Sequence, residues 1–208
     1  CFLCSFDMGL QKCSGCLSCL LIPLALWSIV INILLYFPDG KSSYVSSNNH
    51  TNYVWHFEGI CFSGIMILIL AAFLVILDRD TFFECFQSES CTRTYRRFIS
   101  VVLSLLGIAF SGYSLIVSAL SLVQGPYCKT SAGWEYAFKN TAGSYLMDPT
   151  SWSQCTEPAY VVDWNIILLS ILIVLSGLQI LICLLKIISE LRQILCGNYP
   201  IFVQPILI

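Results

Sequence analysis

Four apolar stretches constrain this chain more than any other feature: residues 17–37, 59–77, 98–123 and 164–188. Each approaches or exceeds the roughly 20 apolar residues that cross a bilayer as one helix. Lys186 is the one charged residue within them, near an end from which its stem is expected to snorkel to the headgroups. A chain that is 57% hydrophobic and 11% charged lies far from the composition of soluble globular domains. The stretches predict an all-α membrane protein with four spans. The first is too long for the core of a cleaved signal peptide and is expected to be retained. With a net charge of -2 and no basic patch, nucleic acid is excluded as a partner.

The spread of Lys and Arg gives an expected orientation. Lys12, Arg79, Arg93, Arg96, Arg97, Lys186 and Arg192 flank one side, against Lys41, Lys129 and Lys139 on the other. Both termini (1–16 and 189–208) and the loop 78–97 are therefore expected in the cytosol. The short loop 38–58 and the long loop 124–163 face outward. Of twelve cysteines only Cys128 and Cys155 fall in an outward loop, in the oxidising compartment, and they are expected to be bonded to each other. A ring of that size contributes roughly 3 to 4 kcal/mol in the loop-entropy account. Cys13, Cys16, Cys19, Cys85, Cys91, Cys183 and Cys196 collect toward the inner face and are candidates for reversible acylation. The C-x2-C-x2-C spacing of 13, 16 and 19 could also suggest a metal centre, but no fourth ligand follows nearby. Cys61 is expected to be a packed thiol. Residues 1–7 precede Met8 and are expected to be an upstream extension of the reading frame. Met8-Gly9 lacks the Ser or Thr that a myristoylation signal carries where Cys13 stands.

Inside the third stretch, Ser100, Ser104, Gly107, Ser111, Ser114, Ser118, Ser121 and Gly125 recur at alternating gaps of four and three. Such a stripe would make a poor core in water, because Ser and Gly bury little apolar area. In lipid it lets helix backbones approach closely, and a repeat of 3.5 residues predicts left-handed crossing. The fold class that follows is a left-handed four-helix transmembrane bundle with a small disulfide-tied extracellular subdomain. A short strand is expected there at 134–139, where Trp134, Tyr136 and Phe138 alternate with smaller or polar residues. Those aromatics could form a partner surface or the inside of a miniature core. In the first span, Ser18, Ala25, Ser28 and Asn32 share a face, and Asn32 is expected to hydrogen-bond across to another helix. Asn49-His50-Thr51 is a glycosylation sequon, and Tyr53, Trp55 and Phe57 suit an aromatic belt at the interface. Arg93, Arg96 and Arg97 suit anionic lipid of the inner leaflet. In the tail, Tyr199-Pro-Ile-Phe202 fits the pattern read by endocytic adaptors, which would allow endosomal recycling, and Ile206-Leu-Ile208 could add a strand to a PDZ-type groove.

No catalytic constellation stands out. The two histidines, His50 and His56, lie together in the short loop, and neither a nucleophile elbow nor a phosphate loop is present. No enzyme activity, cofactor or metal is expected. The competing readings are a small channel or transporter using the Ser-lined third span and, further off, an enzyme acting on lipid. Four helices close into a bundle with little lumen, which disfavours the channel.

Several motifs carry a resemblance across nearly the whole chain from Met8. They are Cys13-x2-Cys16, the run 32–40 (NILLYFPDG), 53–60 (YVWHFEGI), 107–113 (GIAFSGY), 125–128 (GPYC), 134–138 (WEYAF), and 152–158 (WSQCTEP) with Trp164-Asn165. The chain resembles the L6 (transmembrane 4 L six) tetraspan family. It departs from true tetraspanins, whose long loop carries a Cys-Cys-Gly motif and more cysteines. The resemblance implies a non-enzymatic plasma-membrane protein that associates laterally with receptors, integrins and tetraspanins and influences adhesion, migration or proliferation. Membrane lipids are partners in any case, and self-association stays open.

Overall fold

The structure, a computed structural model, describes residues 7–36, 60–78, 89–139, 141–157 and 160–197. Asn49, the aromatic belt of the short loop, Cys85, Tyr199, Phe202 and the terminal Ile-Leu-Ile lie outside the described residues.

Helix α1 runs Asp7–Tyr36. A π-helical stretch, Ile60–Met66, leads into α2, Ile67–Asp78. Helix α3 spans Glu89–Gln124 and α4 spans Val161–Gly197. Among the described residues three segments are long and apolar enough to cross a membrane, Gly15–Leu35, Tyr95–Gln124 and Val161–Leu195, and Gly64–Asp78 is a shorter apolar helix. The chain is mainly helical, as an all-α membrane protein should be, because a backbone in lipid must satisfy its polar groups internally. Three helices overrun the apolar stretches. Hydropathy marks only the part fit for hydrocarbon, whereas a helix continues until its sequence stops it. On α4 the good helix formers Glu190, Leu191, Arg192, Gln193 and Leu195 carry the helix on to Gly197, with Pro200 just beyond.

Packing inverts the pattern of a soluble bundle. Small or polar residues turn inward: Ser18, Ala25, Ser28 and Asn32 on α1, Ala71 on α2, Ser100, Ser104, Ser111, Ser114 and Ser118 on α3, and Ser176 and Gln179 on α4. Bulky residues such as Trp27, Phe73, Leu105, Ile116, Val174 and Leu195 point out, where the acyl chains would lie. Two glycines show how close the backbones come. A Cβ on Gly64 would collide with the Ile29 side chain of α1, and one on Gly107 would fall 2.8 Å from the Cys183 sulfur of α4.

The connection between α3 and α4 folds as a cap. Strands β1 (Tyr127–Thr130) and β2 (Gly133–Tyr136) pair antiparallel, with Tyr127 opposite Tyr136 and Cys128 opposite Glu135. Cys128 and Cys155 form the expected disulfide. Lys129 exchanges backbone hydrogen bonds with Thr156 and Glu157, and its ammonium pairs with Glu157 at 3.2 Å. The strand ends at Tyr136, earlier than the expected 134–139, because Phe138 turns away into a small core of Cys128, Tyr145, Val161 and Val162. Phe138 stacks on Tyr145 at 4.4 Å, and the Tyr145 hydroxyl donates to the Leu122 carbonyl of α3. Gly125 makes the turn out of α3 at φ +77°, and a Cβ there would meet Phe138 at 2.9 Å. Some 40 residues could not hold this shape unaided; the cap stands on the bundle it closes.

Candidate functional site

The α3–α4 interface is the polar axis of the molecule. Ser176 donates to Ser114 at 3.2 Å, and Ser111 donates to the Gln179 side chain at 3.1 Å. Gly107 faces Cys183, and Arg97 donates to the Gln193 carbonyl at 2.8 Å. In each pair the two residue numbers add to the same total, so the antiparallel helices hold one register from Ser114 to Arg97. Ser104 therefore falls opposite Lys186, and Ser100 opposite Glu190. From the middle of this zipper Gln179 also reaches α1, donating to the Ser28 hydroxyl at 3.4 Å. One buried amide thus joins three helices.

Lys186 departs from the expectation of snorkelling. It is 1% exposed, and its ammonium lies 2.6 and 2.7 Å from the two carboxylate oxygens of Asp78 on α2. Glu190, one turn along α4, stands 3.6 Å away, and Ser18 of α1 donates to Asp78 at 2.7 Å. The correction has a physical reason. A carboxylate at the same depth on a neighbouring helix offers short charge-assisted bonds without the stem having to climb to water. Asp78 and Glu190, placed outside the spans by the apolar stretches, are helical residues turned toward the interior.

Asn32 requires a second correction. It is buried, but its amide donates to the Ser28 carbonyl of its own helix at 2.8 Å rather than across to another helix. The carbonyl one turn back on α1 is thus the partner that its amide finds. Gln179 takes the bridging part instead. Cys183 requires a third: it is buried among Leu21, Ala71, Leu74 and Ile182, not displayed at a membrane face, and so it leaves the set of acylation candidates. Its place on the stripe facing α3 is the cause. Cys16 and Cys19 are exposed on α1 and Cys61 is partly buried, whereas Cys13, Cys91 and Cys196 lie on helices with undescribed side chains. Among the described residues no group of three or more His, Cys, Asp or Glu could hold a metal ion.

Along the α3 stripe, Ser100, Ser104, Ser111, Ser114 and Ser118 are buried. Gly107 and Gly125 are also buried, and Ser121 is partly so. The Ser100 and Ser104 hydroxyls, together with Ser189 on α4, are buried without a hydrogen-bond partner among the described residues. Ser176, Gln179 and Glu190 went unrecognised in sequence, and Lys186 was read as a headgroup residue, although a signal was there. With Cys183 and Gln193 they recur at gaps of three and four, the same repeat as the α3 stripe.

At the other end, the hairpin sends Cys128 inward and turns Tyr127, Trp134 and Tyr136 to the opposite face. Tyr127 stacks on Trp134 at 6.0 Å and meets Tyr136 edge-on at 5.1 Å. The aromatics of the long loop thus divide: Phe138 and Tyr145 build the small core, and the hairpin trio forms a surface. Burial pushes the Tyr145 hydroxyl up to about 12. Within the cap Trp152 donates to the Tyr145 carbonyl at 2.8 Å, and at the start of α4 Trp164 donates to the Leu34 carbonyl of α1 at 3.2 Å.

A family model described as L6 membrane protein matches residues 8–200. Transmembrane 4 L6 family member 18 from Homo sapiens is 62% identical over 95% of this chain and 98% of its own. The Bos taurus protein of the same name is 61% identical over the same shares. Transmembrane 4 L6 family member 1 from Homo sapiens is 42% identical over 89% of this chain and 93% of its own. No solved structure matches the chain.

Proposed function

The chain belongs to the L6 membrane protein family, and on that premise we propose that it is a non-enzymatic organiser of the plasma membrane. In this reading both termini are cytosolic, the cap is extracellular, and the protein associates laterally with adhesion molecules and receptors. Integrins and tetraspanins are the partner classes that the family resemblance suggests, with influence on adhesion, migration or proliferation. The observation that carries the reading is how the polar side chains are used. Inside, Ser111, Gln179 and Ser28 bond one another across three helices, as do Ser114 with Ser176 and Asp78 with Lys186. Outside, the surfaces on offer are apolar helix faces and the aromatic side of the hairpin, which suit other membrane proteins better than a small substrate.

Affinity capture from intact membranes tests this. The wild-type chain should recover a reproducible partner set that Trp134→Ala with Tyr136→Ala depletes. A recovery no better than that of a four-span control of scrambled sequence would end the proposal. The channel reading is weakened because the hydroxyls that would line a path at Ser111 and Ser114 are already bonded to α4. Selective flux through the reconstituted protein, abolished by Ser111→Leu, would restore it. Exposed Cys16 and Cys19 are the described thiols best placed for acylation, which in a multi-span protein would serve lateral sorting rather than anchoring. Hydroxylamine-sensitive mass tagging at these two sites checks that part.

A further inference from the structure

We propose that the Lys186 end of the bundle contains a built hydration site. Ordered water held by the hydroxyls of Ser100, Ser104 and Ser189 would solvate the Asp78–Lys186–Glu190 ion group from within the helices. Two independent observations meet here. The first is the ion group itself: an ammonium with 1% exposure, two carboxylates within 3.6 Å of it, and Ser18 bonded to one of them. The second is the set of three hydroxyls, each at 3% exposure or less and each without a partner. The α3–α4 register sets Ser104 opposite Lys186 and Ser100 opposite Glu190. Ser189 is one turn from Lys186 along α4 and adjacent to Glu190.

A buried hydroxyl with no partner is costly, and it is more costly in a low-dielectric setting. Elsewhere on the same interface the Ser hydroxyls of 111, 114 and 176 have side-chain partners, so lack of a partner is not a general habit of this seam. The three bare hydroxyls gather where the charge density is greatest. Water suits this geometry because it both donates and accepts. Buried waters typically make about three hydrogen bonds to polar groups that lack other partners. A direct hydroxyl–carboxylate bond would serve one hydroxyl; a bridging water can serve a hydroxyl on α3, one on α4 and a carboxylate together. Such water would also lessen the desolvation of three charges gathered in one place.

The sign of a stability change separates hydrated hydroxyls from dry ones. The full-length protein in nanodiscs is compared with Ser104→Ala, Ser100→Ala and Ser189→Ala. Removing an unpartnered hydroxyl from a dry site raises the thermal midpoint, whereas removing a hydroxyl that anchors water lowers it. The expected result is a lower midpoint for Ser104→Ala and for at least one of the other two. Radiolytic labelling in 18O water reports the water itself. Leu103, next to Ser104 in sequence, should take up label in the wild type and at least threefold less in Ser104→Ala. Midpoints that rise or stay level, or labelling at Leu103 that ignores the substitution, overturn the proposal. So would a midpoint that depends on sodium against choline at equal ionic strength and loses that dependence in Ser104→Ala, since the occupant would then be a cation.

Discussion

Replacing Lys186 by Met keeps most of the side-chain volume and removes an ammonium that faces both Asp78 and Glu190. The Asp78 oxygens lie 2.6 and 2.7 Å from that ammonium and the nearer Glu190 oxygen 3.6 Å from it. Without it the two carboxylates, which by these distances stand no more than about 6 Å apart, lose the cation between them. At an effective dielectric of about 20, like charges at that distance repel by about 3 kcal/mol. Losing one partner of a buried pair typically costs about 3 to 5 kcal/mol. Asp78, at 19% side-chain exposure and with Ser18 still bonded to it, can recover part of its solvation, which places the expected loss near 3 kcal/mol. Reversible SDS titration in mixed micelles, followed by tryptophan fluorescence, measures it. Asp78→Asn in the Lys186→Met background should recover more than half of that loss, because it removes the carboxylate left without its counter-charge. A single variant within about 0.5 kcal/mol of wild type, the range of an ordinary surface change, would refute the buried ion group. So would a double variant whose loss equals the sum of the two singles.

Gly107→Ala should destabilise by about 1 to 3 kcal/mol, since the new methyl falls 2.8 Å from the Cys183 sulfur; adding Cys183→Ala should relieve most of it in the same titration. The Tyr145 hydroxyl, raised from 10.0 to about 12 by burial, makes the folded cap hold its proton longer than the unfolded chain does. Its contribution is therefore complete below pH 10 and is lost as pH rises toward 12, by about 1.4 kcal/mol per pH unit. Tyr145→Phe should remove that slope from the stability profile while also losing the bond to Leu122. Maleimide applied to the folded protein in detergent should label Cys16 and Cys19 at once and Cys183 only on denaturation, as mass spectrometry of the labelled peptides would report.

The period of the helices was legible in the sequence, while most of their partnerships were not. The Ser and Gly stripe at 100–125 is visible because small residues stand out against Leu and Ile, and a 3.5-residue repeat needs no coordinates. The matching stripe on α4 is chemically mixed, with an amide, a thiol and two opposite charges, so no single residue type announces it. Lys186 was assigned to the headgroups because hydropathy places Asp78 outside the second span; only the helical phase of α2 turns that carboxylate inward. Asn32 and Gln179 show the same limit from opposite sides. Both are buried amides inside spans, yet Asn32 bonds back to the Ser28 carbonyl of its own helix while Gln179 meets the hydroxyls of Ser28 and Ser111 on two others. The Cys128–Cys155 bond was legible because compartment alone singled out two thiols, whereas the division of the loop aromatics into core and surface depended on where the hairpin turns.

The bundle is closed by different chemistry at its two ends, and this follows from what each helix brings. At the hairpin end the contacts are a disulfide, stacked rings and indole bonds to carbonyls, all carried by α3, α4 and the loop between them, with α1 joined through Leu34. Helix α2 is bound in a different way. Its inward residues Ile67, Leu70, Ala71 and Leu74 are apolar or small, so along that length it is held by close packing. Packing in lipid constrains rotation and depth weakly, because one apolar contact exchanges readily for another with an acyl chain. Asp78 supplies what packing cannot. Its carboxylate meets Lys186 through both oxygens and Ser18 through one, which fixes the height of α2 against α1 and α4 at a single point and sets its phase. A helix of this composition without that carboxylate could turn or slide by a residue at little cost. With it, each such step would separate opposite charges in a medium that does not screen them.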